Sequence, residues 1–407
     1  MTSNAELRQS LGRARAQTDS LFDLVDPAAL YERPIPERHR IVFYLGHLET
    51  FDWNLLGSAL DLHAFHAGFD QLFSFGIDPD SGDLPTDRPA DWPAADEVRD
   101  YNARIRNTLD AALARAPGNV PEELLHIAIE HRLMHAETFA YILHHLPFEQ
   151  KTPPALSLPI APSGPPPQVR MVEIPAGPAT LGREHGQGFG WDNEFEQHQV
   201  DVPSFAIAEH KITNGDYLEF VQAGASAPHF WTCRAIRGDA EWCYRGMFED
   251  IPLPLDSPVY VSHEQAQAYA RWKGQALPTE AQFHRAAYPV GRTSRSARVL
   301  PDPLARANVD FRSWDPEPVT ASPLNRFGVS QLVGNGWEWT ATRFEPFAGF
   351  QPSPFYPGYS ANFFDGRHYV LKGGSPRTAR CLLRPSFRNW FRPAYPYVYA
   401  TFRLLEN

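Results

Sequence analysis

The stretch HRLMHAETF, His131 to Phe139, sets two imidazoles four residues apart. On an α-helix, residues at that spacing share a face with Cβ atoms about 6 Å apart. His131 and His135 can therefore grip one metal ion through bonds of roughly 2.1 Å. The spacing alone leaves other readings open, because histidine is common on helix faces and His126, His144 and His145 crowd the same segment without repeating the pattern. A third imidazole is available in YLGHLETFDWN, where His47 stands among Leu45, Leu48 and Phe51 and reads equally well as a core residue. In a helical bundle, inward-pointing groups on facing helices are how metal sites are built. Three neutral histidines would leave up to three positions of an octahedral ion open for substrate and oxygen, and imidazole suits iron and zinc alike. Glu49 and Glu137 stand nearby as partners for the ligands, or as solvated helix carboxylates.

Four helical patterns would position these residues: Glu6 to Leu24, Pro36 to Leu62, Asp96 to Ala116, and Val120 to Leu146. The last opens with NVPEE, proline and acids where a helix N-terminus favours them. The segment from Phe65 to Pro93, rich in Gly, Pro and Asp, reads as a long loop. Residues 1–149 thus suggest a four-helix bundle. The proline-rich run at 150–168 cannot continue a helix or a sheet ladder and reads as a connector. Residues 169–407 then change character. Short β-rich runs such as VRMVEI and FAIAEHKI alternate with turn clusters, and two short helices are expected. One is SHEQAQAYARWKG, with Ser262 as N-cap and Gly274 past its end; the other is PTEAQFHRAAY. The whole is an α+β multidomain chain.

The bulk numbers set limits. A chain of 407 residues, 43% hydrophobic and 13% aromatic, can fill two or three cores, and 39 prolines favour loop-rich architecture. The formal charge of −11, with no Lys/Arg block, argues against a nucleic-acid partner. No apolar run is long enough for a membrane span, and the first residues lack the apolar core of a signal peptide. The three cysteines, Cys233, Cys243 and Cys381, do not suggest a disulfide framework; they read as small packing residues of a cytoplasmic protein.

The second half carries more specific text. GWDNEFEQHQVDVPSFAI, HKITNGDYLEFV, SPVYVSHEQAQAYARWKGQALPTEAQFHRAA, GVSQLVGNGWEWT, YVLKGGSPRT and RPSFRNW…ATFRL occur in that order. This resembles the formylglycine-generating-enzyme, or sulfatase-modifying, domain on a C-type-lectin-like scaffold. The first half, with GHLETF and HRLMHAE, resembles a DinB-type four-helix bundle. The fusion is similar to the non-haem iron sulfoxide synthases of ergothioneine and ovothiol biosynthesis and to selenoneine synthase. The resemblance implies His47, His131 and His135 as ligands of Fe(II), with O2 as co-substrate. It implies a C–S or C–Se bond formed at the imidazole carbon of hercynine, the trimethylated histidine. Only Cys381 lies where the formylglycine branch uses a cysteine pair, so that activity is not expected.

A trimethylammonium offers no N–H, and aromatic faces recognise it by cation–π attraction. The resemblance implies Asn389 and Trp390 in the hercynine pocket; Phe43, one helical turn before His47, is a further candidate. Met134 stands where some members place a Gln that contacts hercynine. In members using γ-glutamylcysteine, an Asp follows the RNW tryptophan and an Arg lies four beyond; here these are Phe391 and Tyr395. Uncharged rings cannot pair an ammonium or carboxylate, so the leading expectation is a neutral selenosugar or thiosugar donor and selenoneine-synthase activity. γ-Glutamylcysteine or cysteine is the alternative. Tyr356 and Tyr359 are candidate proton donors, and Arg88 a candidate donor contact. The GNGWEW segment is a scaffold signature with a possible structural Ca2+. A zinc-dependent thiol transferase and a non-catalytic binding module are the rival classes.

Overall fold

Leu7, Leu11, Ala14, Thr18 and Leu21 recur at steps of three and four, and in the computed structural model they form the buried stripe of helix α1 (Asn4–Phe22). The structure describes residues 4–74, 84–115, 118, 120–154, 163–236, 239–288 and 306–406. The chain divides into two compact units, Met1–Ser157 and Leu158–Asn407.

In the first unit α1 is joined by α2 (Ile41–Leu56), the short α3 (Ala67–Leu72), α4 (Ala95–Arg115) and α5 (Glu122–His145). Helix α2 is shorter than the sequence pattern suggests. Its N-cap, Arg40, is extended, with its guanidinium tied to Asp87 and the Tyr31 carbonyl. The expected loop at 65–93 is also not wholly a loop. His66 accepts the Phe69 N–H through Nδ1 and starts α3, while Tyr101 donates to Asp70 at 2.6 Å and pins it to the bundle. Six residues are too few for periodicity to show, and the Gly and Asp around them hide the helix. Lys151, the second residue of the expected connector, pairs with Val25 and donates to the Leu143 carbonyl, so the bundle reaches past 149. Residues 155–162 of the connector lie outside the described residues.

A buried charge network ties the four long helices together. Arg132 on α5 donates to Glu49 at 2.8 Å, to Asp52 at 2.7 Å and to the Leu48 carbonyl at 2.8 Å, all on α2. Arg106 on α4 reaches the same Glu49 at 2.6 Å and Asp19 on α1 at 2.7 Å. Arg15 on α1 donates to Asp110 on α4 at 2.7 Å. Burial alone would raise the Glu49 carboxyl, but Arg132, Arg106 and Arg15 hold it down at about 2. At Asp52 burial wins and pushes the carboxyl up despite Arg132 and Arg15. Glu49 was a candidate partner for the histidines. Two residues on a helix turn it about 200° from His47, and it faces this network instead.

The second unit is built from small sheets. Strand β1 (Met171–Ile174) pairs with β4 (Phe205–Ala208), which also takes β12 (Leu405–Glu406); β2 (Gly177–Leu181) and β3 (His198–Val202) form a hairpin. A third sheet joins β5 (Trp231–Ile236), β6 (Asp239–Arg245) and β7 (Asp250–Pro252). The fourth has the order β10-β9-β8-β11, with β8 (Trp337–Arg343), β9 (Tyr369–Lys372), β10 (Asn389–Phe391) and β11 (Ala400–Thr401). Three short helices carry capping boxes: α6 (Asn214–Gln222) from Thr213, α7 (His263–Trp272) from Ser262, and α8 (Glu280–Ala287) from Thr279. Helix α6 was not expected, because Gly215 near its start reads as a breaker. Instead a Cβ there would lie 2.7 Å from Pro166 and 2.9 Å from the Leu255 carbonyl, so glycine permits close packing.

Phe283 and Ala286 of α8 pack with Val172, Ile174, Ile207, Val329 and Leu332 in one apolar cluster. Beside them Glu338 accepts from Lys211 at 2.7 Å and from Arg403 at 3.0 Å, all three fully buried. This triad fastens GNGWEW to ATFRL. Lys211 also donates to the Gly336 carbonyl at 3.0 Å, and the Asn335 side-chain oxygen accepts from Asn308 and from the Glu317 N–H. Lys211 thus occupies one backbone carbonyl of the segment read as a possible Ca2+ site. Cys243 is buried, whereas Cys233 and Cys381 are exposed, so the packing reading fails for those two.

Removing one member of a fully buried ion pair strands the others. Arg132→Met is expected to lower the unfolding free energy in urea by about 3–5 kcal/mol. Lys273→Met, which breaks an exposed pair with Glu219, should cost at most about 1 kcal/mol. Equal effects would contradict this account of the network.

Candidate metal centre and aromatic site

Helices α2 and α5 bring His47, His131 and His135 together, with one ring nitrogen from each within 4.8 Å of the others. The Nε2 atoms of His47 and His135 stand 3.2 Å apart. Two imidazoles bound at right angles to one ion at roughly 2.1 Å would stand about 3.0 Å apart. His47 Nδ1 lies 2.7 Å from the Phe73 carbonyl oxygen. A carbonyl only accepts, so Nδ1 carries the proton and Nε2 keeps its lone pair. The rings are braced by aromatic contact: Phe51 stacks on His131 at 3.4 Å, and Phe43 on His47 at 4.9 Å.

Burial dominates the electrostatics. It lowers His47 to about 4, with Arg132 adding to the fall and the Phe73 bond opposing it. Burial also takes His131 and His135 well below the ordinary imidazole value, helped by the neighbouring rings and Arg132. Three neutral nitrogen donors, converging and desolvated, fit a divalent transition metal. They would hold Fe(II) or Zn(II) through His47, His131 and His135, and the donor set itself suits either.

The remaining candidates of this unit fall around the triad or away from it. Phe43 is fully buried, stacked between His39 at 3.8 Å and His47. It therefore backs the His47 ring within the bundle. Met134 is half-buried and precedes His135 on α5. Arg88 projects outward, 80% exposed, and pairs with Asp91 at 3.4 Å. Its neighbour Asp87 is the embedded residue, bound by Arg33, Arg40 and the Trp92 indole. Phe73 is absent from the sequence reading, and Phe51 enters it only as an apolar neighbour of His47. Phe51, at i+4 from His47, had a legible signal; Phe73 did not.

In the second unit Trp390 is half-buried on the edge strand β10. Phe344 stacks on it at 4.3 Å, Tyr359 meets it edge-on at 5.3 Å, and Phe363 lies at 5.4 Å. Tyr359 in turn stacks on Trp191 at 4.0 Å, with Tyr356 at 5.8 Å. The GWDNEFE motif builds this wall. Ser360 donates to Asp192 at 2.6 Å, and Arg384 Nε donates to Glu194 at 2.7 Å. Burial raises the Tyr356 phenol, which keeps its proton at neutral pH. Asn389 accepts the Trp390 N–H at 2.9 Å through its side-chain oxygen. Successive strand residues alternate faces, so Phe391 joins a different group: it stacks on Tyr395 at 5.4 Å, and Tyr395 meets Tyr397 at 5.0 Å.

Comparisons with known proteins address the whole chain. Residues 10–146 match the DinB superfamily, and residues 160–407 match the sulfatase-modifying factor enzyme 1-like domain. The hercynine oxygenase of Mycolicibacterium thermoresistibile is 31% identical, covering 98% of this chain and 94% of that protein. The hercynine oxygenase of Mycobacterium tuberculosis is also 31% identical, covering 99% of each. Ergothioneine biosynthesis protein 1 of Neurospora crassa is 26% identical over 93% of this chain, which spans 55% of that longer protein. Among the described residues no helix is long and apolar enough to cross a membrane.

The depressed imidazoles have a pH consequence. Their folded-state values lie below the ordinary 6.5, so the unfolded chain takes up protons that the folded chain refuses. The stability they contribute is complete above pH 6.5 and is lost as pH falls towards 4. Urea unfolding of the metal-free protein at pH 7.5, 5.5 and 4.5 should show this fall. A His47→Gln/His131→Gln/His135→Gln variant should show a shallower one, and equal slopes would contradict the burial of neutral rings.

Proposed function

The chain belongs to the family that joins a DinB-superfamily bundle to a sulfatase-modifying-factor-like domain, the family of the hercynine oxygenases, and from that premise we propose that it forms a C–S bond at the imidazole carbon of hercynine, using Fe(II) and O2. It is an enzyme of the non-haem iron oxidoreductase type. The observation that carries the reading is the convergence of His47, His131 and His135, with the Nε2 atoms of His47 and His135 3.2 Å apart. Bound iron would supply the one-electron chemistry with O2 that a thiol and an aromatic C–H cannot undertake alone.

The protein's own residues do the rest. The three histidines stay neutral and offer lone pairs, because burial disfavours their charged forms. Trp390, with Phe344, Tyr359 and Phe363 around it, presents ring faces suited to a trimethylammonium, worth about 0.5–2 kcal/mol for each good contact. Asn389 contributes from the same strand. Tyr359, edge-on to Trp390, and Tyr356, against Tyr359, are the proposed proton donors. Phe43 acts by backing His47, and Met134 precedes His135 on its helix.

A sulfur donor, γ-glutamylcysteine or cysteine, takes precedence over the selenosugar that the sequence reading put first. The relatives are named as hercynine oxygenases and ergothioneine biosynthesis proteins, and neither name carries selenium. A neutral seleno- or thiosugar stays as the second reading. The uncharged, parallel-stacked Phe391–Tyr395 pair favours it, standing where charged donor contacts are found in γ-glutamylcysteine users. Arg88, exposed and paired with Asp91, would contact a donor only by leaving that pair.

The test supplies iron-loaded enzyme with hercynine, O2 and each donor in competition, identifies products by mass and follows oxygen. The expected result is a sulfoxide product from a thiol donor, in which the ring C–H and the thiol S–H are lost and one O2 supplies the sulfoxide oxygen and one water, with activity lost in His135→Ala. Preference for the selenosugar would establish the second reading. Turnover with zinc and without oxygen would overturn both.

A further inference from the structure

We propose that Phe73 is a positioning residue for the metal ligand His47, and that Gly46 is present so that Phe73 can reach it. The proposal rests on reading the three histidines as a metal site. Phe73 holds two consecutive residues of α2 at once. Its carbonyl oxygen lies 2.7 Å from His47 Nδ1, which fixes the tautomer and aims Nε2 at His135. Its ring covers the α-carbon of Gly46. A Cβ at position 46 would stand 2.6, 2.6 and 2.7 Å from three atoms of that ring, closer than such atoms can pack.

The latch is rigid for a residue that follows so short a helix. Phe73 is fully buried, with Phe69 at 5.5 Å and Trp92 at 6.2 Å against its ring. Helix α3 is held at one end by the His66 cap and in its middle by the bond from Tyr101 to Asp70. Glycine inside a helix is less stable than alanine. At Gly46 that cost is offset by an approach no other residue allows. The bond it secures is of the kind that orients a metal-ligating imidazole and raises its basicity, and losing such a bond typically weakens metal binding 10–100-fold. A Cβ at position 46 would lift the ring and carry the carbonyl away from Nδ1, freeing His47 to rotate or to change tautomer.

The test is Co(II) titration of the metal-free protein, read by the visible absorption of the bound ion, with thermal unfolding recorded beside it. Gly46→Ala should weaken Co(II) binding roughly 10–100-fold and alter its spectrum. Leu109→Ala, a fully buried change on α4, controls for stability alone and should unfold earlier with affinity and spectrum unchanged. Removing the ring relieves the clash, so Gly46→Ala/Phe73→Ala should bind more tightly than Gly46→Ala. If Gly46→Ala does not fold, Phe73→Ala carries the test, since it keeps the carbonyl but loses its anchor; weaker binding is expected. Wild-type affinity in Gly46→Ala, or in Phe73→Ala where that variant stands in, would overturn the latch. So would losses that track stability equally in Leu109→Ala. A wild-type protein that binds no Co(II) would overturn the metal reading beneath the proposal, and the proposal with it.

Discussion

Arg132 sits one residue after His131, one of the three proposed metal ligands, and spends its guanidinium on the helix that carries His47. Its bonds to Glu49, Asp52 and the Leu48 carbonyl fix the register of α5 against α2. A slip of one residue along either helix would move an imidazole by about 1.5 Å in rise and 100° in rotation. Three nitrogens within 4.8 Å would not survive that. A buried ion pair is weak evidence for stability in itself, because desolvating the charges offsets much of their attraction. Its value here is geometric: in a low-dielectric interior a guanidinium shared by two carboxylates has few acceptable alternatives.

The same burial acts on the ligands. Keeping the imidazoles out of water suppresses their protonation, so the site keeps its lone pairs at neutral pH. The nearby carboxylates, Glu49 and Asp52, are committed to arginines on the other face of α2. The three neutral rings thus stand beside a network in which carboxylates and arginines compensate one another.

Much of this was legible in the sequence, for identifiable reasons. Long amphipathic helices announce themselves by repetition, and α1, α4 and α5 lie close to their expected bounds. The i, i+4 histidines need only one helix to be brought together. His47 was harder, since its facing position depends on tertiary packing; the family resemblance, not periodicity, singled it out. Helix α3 and Phe73 were hidden because a single turn has no period and because a backbone carbonyl leaves no mark on residue type. The Ser262 N-cap with Gly274 beyond placed α7 and the PTEAQFHRAAY pattern placed α8, while Gly215 masked α6. The Trp390 surroundings were half visible. The dense aromatic stretch pointed to the strand, but Phe344, Phe363 and Trp191 come from distant segments that only the fold assembles.

The donor question shows the limit of arguing from single positions. Phe391 and Trp390 are adjacent in sequence yet turn to opposite faces of β10, and each joins its own aromatic group. Reading 391 as a selector treats neighbours in the chain as neighbours in space, which a strand does not guarantee.

The central claim is that His47, His131 and His135 together hold one redox-active iron, and anaerobic Fe(II) loading with X-ray absorption at the iron edge tests it most directly. The account predicts one iron per chain with three imidazole nitrogens at roughly 2.1 Å, and loss of that signal when any one of the three is replaced by alanine. Iron retained in all three variants, or a wild-type site with fewer than three imidazoles, would contradict it.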